Sequence, residues 1–414
     1  MNSPLSQPAE SKARLHYGWV IVMAGTLTIF ACLGLARFAF GMLLPSMRTA
    51  LAMSYDDMGL LGTGNFAGYL IAVAVAPLLL RVCTPRLLIS IGLFLVATCM
   101  LAIGACHTYL PVLVLYGVVG IGSGLANIPI MVLVSYWFRQ EKRGRAAGFI
   151  VIGSGFAIIF SGFLVPRLNA AFGETGWRVS WMLLGGVVLL VALVTTSLIR
   201  NDPADKGLEP VGRKTELDYD PSETRGRFTT LRILTHLGAL YFIFGTTYVI
   251  YGTFIVTTMV EDYGFVEASA GQFWSWVGFF SLFSGTLFGT LSDRIGRKGG
   301  LMAVFAVQTL AYLLAGSRLG EIALFGSVIF YGVASFAIPA IMAAAVGDYL
   351  GKSRAAAAFA MITFCFAIGQ TLGPVAAGKV AEIVGTFTPS YLASAALTAV
   401  AVLLSAFLPQ RQQA

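Results

Sequence analysis

The stretch "GWVIVMAGTLTIFACLGLARFAFGMLL", residues 18–44, carries one charged side chain, Arg37, in an otherwise apolar run. A helix needs about 20 apolar residues to cross the ~30 Å hydrocarbon layer of a bilayer, so the run predicts one crossing. Its apolar residues are continuous rather than alternating with period two, which excludes a barrel strand. With no water to satisfy backbone groups in lipid, the segment must bond internally as a helix. Eleven further runs of this kind follow, at roughly 57–80, 86–106, 110–137, 145–169, 178–200, 234–260, 268–291, 298–316, 320–349, 354–384 and 388–408. Composition agrees: 57% of residues are hydrophobic and 11% charged, where a soluble chain has about 25% charged. The expected fold is an all-α polytopic membrane protein with twelve transmembrane helices.

The net charge of +8 could suggest a nucleic-acid partner, but its distribution points elsewhere. With the amino terminus placed inside, only Arg48, Arg167, Arg178, Arg318 and Lys379 of the 27 Lys and Arg residues fall on the outer face. That bias predicts both termini in the cytoplasm of a bacterial cell, with the chain in the inner membrane. The lipid bilayer is then the expected partner, and nucleic acid is not. Five scattered cysteines show neither disulfide nor metal spacing. The polar start lacks the apolar core of a cleaved signal peptide, so the first span is expected to serve as an uncleaved insertion signal.

One long polar segment, "NDPADKGLEPVGRKTELDYDPSETRGRFTT" (201–230), divides six spans from six. The expected organisation is a tail at 1–17, a six-helix bundle at 18–200, a mobile cytoplasmic linker at 201–233, a second bundle at 234–408 and a tail at 409–414. The bundles should be pseudo-symmetric. Arg81 closes the second span as Arg294 closes the eighth, and "MVLVSYWFRQEKRGRAAGFIVIGSGFAII" (131–159) is similar to "MAAAVGDYLGKSRAAAAFAMITFCFAIG" (342–369). Duplicated halves of this kind mark transporters that work about a central site. Pro374, in "GQTLGPVAAG", is expected to bend or break the eleventh helix.

The most specific local pattern is "GTLSDRIGRK" (289–298), at the turn between spans eight and nine. It resembles the cytoplasmic signature loop of the major facilitator superfamily, in the form G-x-x-x-D-R-x-G-R-K. The resemblance implies that superfamily's fold, a monomer, and a latch on the cytoplasmic gate built from Gly289, Asp293, Arg294, Gly296 and Arg297. The first-half copy reads "APLLLRVCTPR" (76–86), where Leu80 takes the acidic position and Arg81 survives. The stretches "LARFAFGMLLPSM", "GNFAGYLIA" and "YFIFGTTYVIYGTF" are similar to the bacterial YbfB/YjiJ-type transporters, a group close to monocarboxylate and oxalate/formate carriers. Monocarboxylate carriers are expected to hold an Asp–Arg pair in the eighth span. Here residues 272–290 contain neither, so that coupling scheme does not carry over.

Away from their ends, the twelve spans contain no Asp, Glu, Lys or His, and Arg37 alone is charged. A buried charge is expensive in hydrocarbon and marks a functional position. Three roles are open for it: an anchor for an anionic cargo, a structural group bonded to helix-end carbonyls or a nearby Asn, or a side chain snorkelling to the outer interface. Candidate polar neighbours are Asn65 and Tyr69, four apart on one helical face, with Asn127, Tyr248, Tyr251, Gln272, Tyr331 and Gln370. The leading expectation is a gradient-driven transporter for a small organic anion such as a monocarboxylate, with a coupling proton or counter-anion as further partner. The alternatives are proton-coupled efflux of drugs or metabolites and a non-transporting membrane sensor. No nucleophile triad, metal cluster or phosphate loop is present to suggest an enzyme or a cofactor.

Overall fold

The computed structural model describes residues 16–212 and 227–408. The expected tails, beyond His16 and Tyr17 and after Leu408, lie outside the described residues, as does the middle of the expected linker.

Twelve crossings are present among the described residues: α1 (Tyr17–Leu51), α2 (Tyr55–Leu79), α3 (Pro85–Ala105), α4 (Tyr109–Trp137), α5 (Gln140–Phe172), α6 (Gly176–Leu198), α7 (Arg227–Glu261), α8 (267–295), α9 (297–316), α10 (Glu321–Leu350), α11 (Lys352–Val384) and α12 (Thr388–Ala406). Two pairs run together almost without a loop. Gln140–Leu198 is helical over 59 residues, which at about 1.5 Å per residue is far longer than one bilayer. The chain therefore reverses, through a 3-10 turn at Gly173–Thr175. The α8–α9 reversal is tighter still and turns on Gly296, whose φ of +82° suits a residue without Cβ.

Local sequence explains the helix starts. Ser54 and Asp57 form a reciprocal capping box at the head of α2, and Thr84 caps α3 with Pro85 in its first turn. Three features depart from the sequence reading. α1 runs through Pro45 to Leu51, because a proline needs only its own N–H bond removed and the following turns re-form. α11 likewise continues unbroken through Pro374, whose ring carbons fill the space beside Gly62 of α2. The linker expected to be mobile is fixed over its first dozen residues. Val211 pairs with Phe138 in a parallel bridge, Arg139 bonds Glu209 at 2.6 Å, and the Trp137 indole donates to the Arg200 carbonyl at 3.0 Å. Its last residues already belong to α7.

α1 packs on α4, α5 and α6, α2 on α4, and α3 on α4 and α6; α7 packs on α11 and α12, and α9 on α10 and α12. The two sets of six meet through α1 with α7, α2 with α11, and α5 with α8. A shift of six helices exchanges the last two pairs, as a duplication requires. Small residues make these crossings close. A Cβ on Gly41 of α1 would sit 2.6 Å from the Gly252 carbonyl of α7, and one on Gly271 of α8 2.3 Å from the Gly162 carbonyl of α5.

Candidate functional site

The helix carrying Arg37 is itself irregular. Residues Phe30–Phe38 of α1 form a π-helix, a geometry that inserts an extra residue per turn and recurs at functional positions. It brings Gly34 against Ala157 of α5 and turns Arg37 inward toward α2 and α7. There the guanidinium carbon lies 4.5 Å from the centre of the Phe66 ring and 4.4 Å from that of Tyr69. Arg37 is 9% exposed, and its Nε and Nη2 are buried without a hydrogen-bond partner. No carboxylate of the described residues forms an ion pair with it. Two ring faces offset part of the desolvation cost, by about 0.5–2 kcal/mol each, but leave the N–H groups unsatisfied.

Beside the guanidinium lies a small cavity lined by Arg37, Phe38, Phe66, Tyr248, Val249, Gly252 and Thr253, with about 10 Å³ for the centre of a water-sized sphere. That is room for roughly one water. The walls come from both halves, α1 and α2 on one side and α7 on the other. Asn127 of α4 donates to the Tyr69 hydroxyl at 2.8 Å and so fixes the ring under Arg37. The Tyr331 hydroxyl donates to the Tyr248 carbonyl at 2.9 Å, holding the α7 wall.

The sequence-derived residues therefore divide. Arg37 and Tyr248 line the cavity, Tyr69 and Asn127 back the guanidinium, and Tyr331 backs the Tyr248 wall. Tyr251 faces the interior of the second half, where its hydroxyl shares a hydrogen bond with Ser327 at 2.9 Å. Asn65 turns away from Arg37 and donates to the Tyr116 carbonyl at 3.0 Å, so its shared face with Tyr69 does not make a shared site. Gln272 is exposed at the start of α8. Gln370 is buried in α11, with its Oε1 unpartnered. Arg37 neither snorkels nor holds a carbonyl through Nε or Nη2. The structure adds Phe38, Phe66 and Thr253, whose only signal in the sequence is their proximity to polar candidates.

At the basic turn, Arg297 bridges two carboxylates, Asp293 at 2.6 Å and Asp348 of α10 at 2.7 Å. Arg294 and Arg81 are exposed, and nothing approaches Gly289. At the other end of the helices the halves are bonded to each other. Arg48 of α1 pairs with Glu261 of α7, and Glu261 also accepts from the Tyr55 hydroxyl at 3.0 Å. The Tyr55 amide donates to Glu382 of α11 at 2.8 Å, and Asn169 of α5 to Glu267 of α8 at 2.7 Å. That face is closed. From the sequence these acids were legible only as charges in loops or at helix ends.

A family model described as "Uncharacterised MFS-type transporter YbfB" matches residues 29–406. The chain belongs to this family. Among curated relatives of this MFS transporter, rat monocarboxylate transporter 2 is 23% identical over 406 residues, covering 91% of this chain and 80% of the relative. Rat monocarboxylate transporter 1 is 25% identical over 336 residues, 73% of this chain and 66% of the relative. A probable hexose phosphate transport protein of Chlamydia trachomatis is 23% identical over 339 residues, 75% of this chain and 72% of the relative. Among solved structures, a D-xylose–proton symporter superposes with TM-score 0.75 at 16% identity, covering 95% of this chain and 98% of that one. The nucleoside transporter NupG superposes at 0.70 and 15%, covering 96% and 100%. These likenesses establish the major facilitator fold and an integral membrane transporter.

Proposed function

We propose that this MFS transporter is a secondary active carrier of small organic anions, monocarboxylates first, with Arg37 as the anion anchor. The observation that carries the reading is a guanidinium at the junction of the halves, almost fully buried, with unpartnered N–H groups and no carboxylate. A carboxylate cargo supplies the missing counter-charge, and each bond to it contributes about 1.5–3 kcal/mol. Support also comes from the monocarboxylate transporters among its relatives. Arg37 touches cargo in this reading; Tyr69, Asn127 and Tyr248 hold the site around it, with Tyr331 backing the Tyr248 wall.

The two bundles, 18–200 and 234–408, then rock about the cavity to give alternating access. The face that carries Arg297 is cytoplasmic, as are both termini, and the protein sits as a monomer in a bacterial inner membrane. Asp293, Arg294 and Arg297 form the cytoplasmic latch, with Gly289 and Gly296 shaping the turn and Arg81 its first-half counterpart. Transport is driven by a coupled proton or a counter-anion rather than by catalysis. The test is uptake of radiolabelled carboxylates into proteoliposomes. Arg37→Gln is expected to lower carboxylate uptake at least about tenfold, the equivalent of one lost charged bond. Unchanged uptake by that variant rejects the anchor.

A further inference from the structure

Four aromatic residues of α7, Tyr241, Phe244, Tyr248 and Tyr251, recur at a spacing of three or four and so share one helical face. Joined by Phe366 of α11 and Tyr331 of α10, they form a ladder of nearly parallel rings. Tyr241 stacks on Phe366 at 4.6 Å and 18°, and Phe366 on Phe244 at 5.5 Å and 14°. Phe244 lies 5.1 Å and 30° from Tyr248, and Tyr248 6.2 Å and 16° from Tyr331. Tyr331 stacks on Tyr251 at 4.0 Å and 21°. The ladder meets the Arg37 cavity at Tyr248, whose ring also receives the edge of Phe38 at 6.1 Å and 79°. Across the cavity the guanidinium lies against the Phe66 and Tyr69 rings, so that its N–H edge rather than its face is left for a ligand.

We propose that the cargo is a flat, conjugated monocarboxylate, such as an arene- or arylacetate-type anion. Its carboxylate meets the edge of Arg37 while its ring lies against the edge of Tyr248, whose faces are taken by Phe244 and Tyr331. This rests on the anion-anchor reading above and narrows its substrate class. Three features select for it. Arg37 is the one charged residue in the cavity lining, so a second carboxylate on the cargo would stay unpaired in a low-dielectric site. Among the lining residues only Thr253 and Tyr248 carry hydroxyls, too few to replace the water around a polyhydroxylated cargo. The cavity is nearly shut in this state, and a planar body needs only a small parting of Phe66 from Tyr248, whereas a puckered ring of the same carbon count needs a wider one. An edge-to-face contact with Tyr248 then adds to what the buried area contributes.

The experiment is calorimetric binding to the purified full-length protein, comparing benzoate with cyclohexanecarboxylate, benzyl alcohol and succinate. Benzoate is expected to bind about tenfold more tightly than cyclohexanecarboxylate, the scale of one aromatic pair. Benzyl alcohol and succinate should give no heat at concentrations that saturate benzoate. Tyr248→Leu should narrow the benzoate-to-cyclohexanecarboxylate ratio. Equal affinity of the wild-type protein for the two ring acids overturns this inference and leaves the anion anchor standing. Failure of every carboxylate to bind, or binding of benzyl alcohol as tight as benzoate, overturns both. The wild-type comparison decides even if the variant does not fold.

Discussion

Replacing Glu261 should loosen the closed face of the transporter selectively. Its carboxylate joins the halves twice, through the ion pair with Arg48 and the bond from the Tyr55 hydroxyl. The Arg48 and Glu261 side chains are 27% and 23% exposed, so solvent screening limits the pair to about 1 kcal/mol. The Tyr55 bond, to a charged acceptor but near the surface, contributes about another 1 kcal/mol. The contact of Arg48 with the Tyr55 ring, at 3.9 Å, lies within one half and survives opening. Glu261→Ala should therefore shift the equilibrium away from this closed state by about 2 kcal/mol, a factor of roughly thirty. Glu261→Gln keeps neutral hydrogen bonds and should fall between. Hydrogen–deuterium exchange reads this directly, because the Tyr55 amide is held by Glu382 across the same gap. Exchange at Tyr55 and its neighbours should quicken by that factor at most. The backbone bridge of Phe138 and Val211, at the opposite end of the helices, should keep its rate. Exchange at Tyr55 within about twofold of wild type in Glu261→Ala would show that these bonds do not set the closed state.

Three further outcomes follow from local geometry. Gly120→Ala should lower the thermal unfolding midpoint by the equivalent of about 1–3 kcal/mol, because its Cβ would lie 1.9 Å from the Asn65 carbonyl, backbone within the same half; an unchanged midpoint refutes the packing. Gly296→Ala meets no neighbour within 4 Å, so its cost is the backbone alone, about 1–3 kcal/mol for a φ of +82° with ψ of 161°, a region kept almost entirely to glycine. Gly296→Asn should melt no higher than Gly296→Ala, because asparagine tolerates the αL region and not this one. Arg297→Gln should free the α8–α9 turn from Asp348 and raise limited proteolysis there a few-fold, on the scale of about 1 kcal/mol for partly exposed pairs; identical digestion patterns refute it.

Legibility in the sequence follows the range of the forces involved. Span number came through because crossing a bilayer is a property of each segment's own length and polarity. The tight α8–α9 turn also came through, since Gly296 sits where the charges of "DRIGRK" mark a helix end. The site came through only in part. Tyr69 and Asn127 were recognisable as polar groups in apolar spans, but nothing local says that one donates to the other across α2 and α4. Asn65, on the same face as Tyr69, bonds Tyr116 instead because it lies a full turn further along the helix, beside a different neighbour. The linker misled for the same reason: its polar composition suits solvent, yet Val211 and Glu209 find partners supplied by the α4–α5 turn.

What the sequence determined by itself was a twelve-span membrane protein whose interior carries one cation and no carboxylate, because hydrophobic length and buried charge are written residue by residue. Only the tertiary structure decided what surrounds that cation: a π-helical turn that aims Arg37 inward, two ring faces that hold it, and a wall borrowed from the other half of the molecule. It also decided which face is closed, since Arg48 and Glu261 stand 213 residues apart and meet only when both bundles are folded and docked.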